Sequence, residues 1–374
     1  MAAIKKILLI QLMSNGDCLY ATAVARQIKQ DFPGCHLTWA IASFCKGILD
    51  NNPYVDAILE VPDVNRNTAT GIMRQLRKDA EEKKRQGVYD EVFFTQIIDT
   101  NMANYDGSIR SSIFRGYDRP ITVSVTPSLR LRDEEINKAK AFAERYKLDQ
   151  YKNVILFEFA PQSGQLAMTP ALALEMAGKI ISNESTAIVL SSAIKIGDQY
   201  EHILDGSTLT LRETAALTHY CTMLLGCSSG ITWISTSDAA KQLPMIQILD
   251  PDAFWVNPIS RDFERFGFST DTLIELYENK VEKTTACVTE ALTIGFEQTR
   301  KKYYTPLPVQ FKTTSRTIYN LAVFLQFGAI FKHIGISLSV FGWQPALIKE
   351  IVMGFVTIPF KLVYNVVSKR LKKK

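Results

Sequence analysis

The first apolar run of this chain is not followed by Gly-x-Gly-x-x-Gly, and no acidic residue ends the second run where a ribose would be held. Both absences argue against a dinucleotide-dependent oxidoreductase. The six cysteines, Cys18, Cys35, Cys45, Cys221, Cys227 and Cys287, include no Cys-x-x-Cys pair, and none of the four histidines stands at metal-ligand spacing from them. No metal centre is expected, and free thiols in a reducing compartment are. Beyond residue 305 no uncharged run reaches the ~18 residues of a spanning helix. The apolar start follows only two lysines and is too short for a cleavable secretion signal, so a cytoplasmic body is expected. Acid is scarce in one place: residues 311–374 hold ten Lys or Arg against the single Glu350, which leaves residues 1–310 at −4 in a chain of net charge +5. A mildly acidic body with one basic end lacks the basic folded face of a nucleic-acid binder, and no nucleic-acid partner is expected.

Residues 4–32 are the stretch around which the rest is organised. Ile7-Leu8-Leu9-Ile10 and Leu12 form a continuous apolar run, the pattern of a strand buried on both faces of a parallel sheet. It ends at Ser14-Asn15-Gly16-Asp17, after which Leu19, Ala23, Val24, Ile28 and Phe32 recur at helical spacing as far as Pro33-Gly34. A small polar turn from a parallel strand into a helix is where open α/β sheets bind ligands, so Ser14, Asn15, Gly16 and Asp17 are expected at a crevice. The pattern repeats, with strands expected over 36–42, 57–61 and 91–98, a short helix at 44–51 and a charged helix at 70–86. An aperiodic segment at 101–126 and a helix over 133–146 lead to a linker near 149–152.

The second half restarts the pattern. Strands are expected at 154–159, 186–190, 223–225 and 245–249, the last closing the set, with helices at 170–181, around 199–204 and at 211–220. The length fits two domains of roughly 150 residues with a remainder. Two successive strand–helix arrays predict an α/β protein of two facing Rossmann-like domains, 1–150 and 151–304, followed by a tail at 305–374.

Ser228-Ser229-Gly230-Ile231 offers hydroxyls and backbone amides at a helix start, a seat for an anionic group such as a diphosphate. Ser163-Gly164-Gln165 occupies the corresponding position after the first strand of the same domain and would converge on the same crevice. Plain helix capping is the competing role of the serine–glycine turn and of Asp17.

The opening Lys6-Ile7-Leu8-Leu9-Ile10 with Ser14-Asn15-Gly16-Asp17 and Asp31-Phe32-Pro33-Gly34 resembles the start of the heptosyltransferase family of glycosyltransferases. Asn51-Asn52-Pro53-Tyr54-Val55-Asp56 is similar to that family's Asn-Pro-x-Val-Asp element, residues 131–135 to its Leu-x-x-x-Glu-Glu start of the linker helix, and residues 211–230 to its helix, strand and Gly-x-Asp-Ser-Gly loop. The resemblance covers about residues 4–250. It implies a GT-B fold with the acceptor in the N-terminal half and a nucleotide-sugar in the C-terminal half. It also implies metal-independent sugar transfer with no cofactor, the nucleotide-sugar being substrate, and Asp17 as general base. A carboxylate on a crevice loop suits that role, because the acceptor hydroxyl must lose its proton as it attacks.

The chain departs from the family where Ser228 and Trp233 replace the acid and histidine of Asp-Ser-Gly-x-x-His, and where residues 162–169 contain no Lys or Arg. Lys195, in a neighbouring loop, is the candidate replacement cation. These departures keep a second reading in view, a catalytically silent relative that binds glycan or protein.

Beyond 305 the apolar runs 318–331, 334–347 and 351–360 are punctuated by Lys332, Lys349 and Lys361 and end in Lys369-Arg370-Leu371-Lys372-Lys373-Lys374. Such helices predict an amphipathic extension lying in an anionic membrane surface without crossing it, the alternative being packing on the body. The resulting expectation is a glycosyltransferase, peripheral or monotopic on the cytoplasmic face of the inner membrane, acting on a lipid-linked or lipopolysaccharide-type glycan.

Overall fold

A computed structural model of the 374-residue chain describes residues 4–160, 166–181, 185–197, 200–250, 257–277, 280–306 and 308–371, with the backbone alone over 360–371. The N-terminal domain runs β1 (Lys6–Ile10), α1 (Asn15–Asp31), β2 (His36–Ala42), β3 (Ala57–Val61), α2 (Ala69–Arg85), β4 (Glu91–Phe94), α3 (Ile109–Tyr117) and α4 (Asp133–Arg145), with 3₁₀ turns at Ser43–Leu49 and Asp99–Asn104. Its strands are parallel in the order β3-β2-β1-β4. The continuous apolar run of β1 has a direct cause: Ile7 and Leu9 pack into one core while Leu8 and Ile10 pack into another on the opposite face.

The second domain runs β5 (Asn153–Glu158), α5 (Pro170–Ile180), β6 (Thr186–Ser191), β7 (Ile203–Asp205), α6 (Leu211–Leu217), β8 (Met223–Gly226), α7 (Gly230–Ile234), β9 (Met245–Ile248), α8 (Ile259–Arg265), β10 (Leu273–Leu276), α9 (Val281–Thr293) and α10 (Phe296–Tyr303). Its parallel sheet has the order β10-β9-β8-β5-β6-β7. Counted from each domain's own first strand, both sheets follow the doubly wound pattern, so the order reverses between β1 and β4 and between β5 and β8. Ligand crevices open outside the carboxyl ends of strands at such points.

Two expectations fail here. Where a helix was expected around 199–204, residues 203–204 belong to strand β7 beside β6, and His202 at φ 63° interrupts any helical path just before it, residue 199 lying outside the described residues. Strand β9 does not close the set, because β10 pairs outside it. The buried Glu275 in β10 accepts the Ile259 amide (2.6 Å) and disguises a buried edge strand with a charge.

The domains are joined by a buried ion pair. Glu135, in the first turn of α4, receives Arg212 of α6 through Nε to Oε1 (2.7 Å) and Nη2 to Oε2 (2.8 Å). Arg212 Nη1 also donates to the Gly47 carbonyl (3.0 Å) in the N-terminal domain.

The tail forms α11 (Lys312–Val323), α12 (Phe327–Phe341) and α13 (Pro345–Leu371), and among the described residues no helix is long and apolar enough to cross a membrane. The tail does not stand free of the body. Ile318, Leu321, Ala322 and Ile330 are buried against Met102 and Ala103, and Gln326 Nε2 donates to Asp99 Oδ1 (3.0 Å). The alternative of packing on the body therefore holds for one face. The other face leaves Phe327 58%, Phe331 70% and Trp343 81% exposed.

Burial raises the Glu135 carboxyl, but the Arg212 guanidinium and the Arg132 amide and side chain outweigh it and hold the pKa down at about 2. Its contribution to stability is therefore complete above the ordinary glutamate value and is lost as pH falls through about 2. Arg212→Met, which leaves Glu135 buried without its partner, should cost about 3–5 kcal/mol in urea unfolding at neutral pH. The difference from the parent should shrink as pH is lowered toward 2.

Candidate functional site

The two crevice loops meet across the domain boundary. On the N-terminal side the chain leaves β1 through a turn whose Leu12 and Met13 amides both donate to Gln96 Oε1, at 2.9 and 2.8 Å. This spends the loop's free donors and fixes Ser14 as the N-cap of α1, with the Cys18 amide donating to the Ser14 carbonyl at 2.8 Å. Asp17 sits in the first turn, partly open to solvent but deep between the domains. Burial pushes its carboxyl up to about 7, against hydrogen bonds from the Ser14 amide and hydroxyl that favour the charged form. Asp17 is thus both part of the helix cap and a titrating group at the crevice.

On the opposite side, a Cβ on Gly16 would lie 3.0 Å from Trp233 Cδ1, and one on Gly230 would lie 4.0 Å from the Asn15 Cβ. The Tyr20 and Trp233 rings are 5.1 Å apart. Asn15, Gly16 and Gly230, expected on two sides of one crevice, therefore do face each other. Close approach is what the glycine at 16 permits.

The loop after β8 is not the open anion seat expected. Glu158, at the carboxyl end of β5 and buried, accepts the Ile231 amide (3.1 Å), the Thr232 hydroxyl (2.7 Å), the Cys227 amide (3.2 Å) and the Ser229 hydroxyl. The Ser228 amide donates to Gln247 Oε1 (2.9 Å). A carboxylate of the protein itself thus takes the Ile231 amide and the Ser229 hydroxyl, and a side-chain amide takes Ser228. Among the described residues, only the Ser229 and Gly230 amides of this turn are left without an acceptor. Ser163, Gly164 and Gln165 lie outside the described residues. Lys195 is exposed on the turn after β6, and no described contact joins it to the Gly230 loop.

No family model and no curated protein matches the chain. Solved structures do. The chain is similar to the glycosyl transferase family 9 protein of Veillonella parvula DSM 2008 at 15% identity, over 80% of this chain and 90% of that one, with a TM-score of 0.54. It is similar to the ADP-heptose LPS heptosyltransferase II of E. coli at 14% identity, over 78% of this chain and 99% of that one, with a TM-score of 0.51. The heptosyltransferase resemblance therefore holds at the level of fold, and the two-domain GT-B arrangement is present.

Behind Tyr20 the interface is packed shut. Arg110 of α3 is buried, 3.1 Å from Asp262 of α8, with its guanidinium 4.5 Å from the Tyr20 ring centre. The space between Tyr20, Arg110, Trp233 and Asn257 amounts to about 20 Å³. Trp233, standing where the family has a histidine, is one of the side chains that fill it. Neither Glu158 nor Arg110 is expected from the residues alone. A single charge at the end of the apolar run Phe157-Glu158-Phe159 is the available signal for Glu158, whereas Arg110 lies in an aperiodic stretch.

Glu158→Ala would leave the Cys227 and Ile231 amides and the Ser229 hydroxyl without their acceptor, the Thr232 hydroxyl keeping Gln247 Oε1 (3.2 Å), a loss of about 3 kcal/mol or more in chemical unfolding. The same substitution opens the turn to an external anion, so sulfate or phosphate should raise the melting temperature of the variant more than that of the parent.

Proposed function

We propose that the chain is a glycosyltransferase that moves a sugar from a nucleotide-sugar to a lipid-linked or lipopolysaccharide-type glycan at the cytoplasmic face of a membrane. The observation that carries this reading is Asp17, a carboxyl on a crevice loop between two facing Rossmann-like domains, with a pKa near 7. A general base works best when it is partly unprotonated at the working pH and still attracts a proton. In the proposed step the acceptor hydroxyl attacks the anomeric carbon while Asp17 takes its proton, and the bond from that carbon to the diphosphate breaks with its electron pair going to the leaving group. The Ser229 and Gly230 amides are the proposed contact of that diphosphate, and their partial charges supply stabilisation that needs no metal or cofactor. The fold-level likeness to glycosyltransferase structures supports the reading without specifying donor or acceptor.

A second reading, a catalytically silent glycan- or protein-binding relative, draws on Glu158 within the turn and Trp233 in the closed interface. A thermal-shift panel of nucleotide-sugars separates the two. Stabilisation by at least one donor is expected, and silence across the panel would favour the second reading. With a donor in hand, Asp17→Asn should lower turnover by roughly 10² to 10⁴ while leaving donor affinity unchanged. Because burial holds Asp17 protonated below about pH 7, turnover of the parent should climb as pH rises through 7 and level off above it.

The membrane part of the proposal is supported by the tail's outer face, where Phe324, Leu325, Phe327, Phe331 and Trp343 are all more than half exposed. An apolar patch of this kind marks a partner or membrane surface. Since the inner face is docked on Met102 and Ala103, the test is made in the full chain. Replacing Phe327, Phe331 and Trp343 together by Ser should lower binding to phosphatidylglycerol vesicles at high salt by at least about tenfold, as each buried aromatic contributes about 1.5–3 kcal/mol. Unchanged binding would assign the patch to another partner.

A further inference from the structure

A basic groove lies apart from Asp17, where the tail meets both domains. Arg115 from α3, Arg265 from the end of α8 and Lys332 from α12 line an open space of about 670 Å³ together with Ile336 and Val340. Each of the three cations comes from a different part of the chain.

The groove is built around a buried counter-charge. Asp106, whose side chain is 0% exposed, accepts Arg115 Nη2 (2.7 Å) and Arg265 Nη1 (2.8 Å), and the two guanidinium groups outweigh burial and lower its pKa. Arg115 Nη1 is held by the Asn104 carbonyl (2.7 Å) and Arg265 Nη1 by the Ser111 hydroxyl (2.8 Å). These bonds orient both planar groups and leave Arg115 Nε and the Nε and Nη2 of Arg265 without a described partner. Lys332 is exposed and has no partner among the described residues. Three cations thus surround the Asp106 carboxylate, the neighbouring Asp262, which also feels Arg265, being paired with Arg110, and the guanidinium N–H donors still open are oriented, which is the arrangement that recognises phosphate. The floor is apolar where Ile336 and Val340 line it, and the exposed Phe331 and Phe327 precede Lys332 on the same helix.

We propose that this groove binds a lipid-borne phosphate, the headgroup held by Arg115, Arg265 and Lys332 and the acyl chains leaving past Phe331 and Phe327. The proposal deepens the membrane reading above and rests on it. It also gives the tail a second role. The groove is complete only when α12 is docked and the two domains are together, so a bound headgroup favours the assembled arrangement.

The test uses the full chain and dihexanoyl phosphatidic acid below its micelle-forming concentration, with dihexanoyl phosphatidylcholine and inorganic phosphate as comparisons, measured by calorimetry. Phosphatidic acid should bind, the choline lipid should not, and inorganic phosphate should bind at least about tenfold more weakly, since it lacks the apolar contacts. Lys332→Glu should reduce phosphatidic acid affinity by at least about tenfold. Gly335→Leu, where a Cβ meets nothing within 4 Å, should fold normally and block the groove by filling it. Lys349→Glu, outside the groove, should leave the affinity unchanged. Failure of phosphatidic acid to bind, equal affinity for inorganic phosphate, or indifference to both groove variants would overturn the proposal. Soluble phosphatidic acid binding that depends on Lys332, in a chain that ignores phosphatidylglycerol vesicles, would instead overturn the membrane reading and keep the groove.

Discussion

Everything at the crevice depends on how the two domains are held, and that is decided by the guanidinium of Arg212. A buried ion pair offsets the cost of its desolvation only when its geometry is good and its remaining donors are used. Here the carboxylate of Glu135 is met in a bidentate fashion, and the Gly47 and Arg130 carbonyls take the other donors. Since α4 carries Glu135 out of the N-terminal domain and α6 carries Arg212 in the second, this interaction ties the two domains directly. A second carboxylate, Asp238, accepts the Leu129 amide (2.8 Å) and Arg130 Nη1 (2.8 Å), and a third, Asp106, receives Arg265 across the same boundary. With those ties in place Gly16 can lie against Trp233. Without them the Asp17 loop would face water.

The same ties explain what could be read from the residues alone. Strands β1 and β2 were legible because burial on both faces leaves a largely apolar run, while β3, a half-exposed edge strand, was legible from its short branched run, and His36–Ala42 and Ala57–Val61 end where expected. Strand β4 stops at Phe94 instead of 98 because Thr95 and Gln96 turn away to serve the β1 loop, a demand made by residues more than eighty positions earlier. Strands β7 and β10 were missed for related reasons. One is three residues long behind a left-handed His202, and the other carries a glutamate whose partners, the Ile259 and Ser260 amides, cannot be seen from its neighbours. Local pattern reports local structure, and these two are settled by distant groups.

The candidate site divides in the same way. The Asp17 loop could be found because a polar turn between a parallel strand and a helix has a meaning of its own. The turn at Ser228 carries the same signal, yet its function as an open anion seat depends on what stands opposite, and Glu158 stands there. An acidic side chain at the end of β5 and a set of amides at the start of α7 are each ordinary. Only the pairing of β5 with β8 brings them together.

In the tail the runs of apolar residues were plain, but their facing was not. On α12, Ile330, His333 and Ser337 turn inward and are buried, while Phe327 and Phe331 turn outward. Burial pushes His333 down to about 4, against the Ala103 backbone, which favours the charged form, so it is neutral where it sits. A helix that buries a histidine and a serine while exposing two phenylalanines inverts the pattern of a helix with water on its outer side. That inversion lowers the free energy only if the outer face meets an apolar phase, because each aromatic ring left in water forgoes its burial while the inner polar groups still lose hydration. The proposed contact with a membrane surface therefore rests on which residues the docked tail turns outward, and not on the length of its apolar runs.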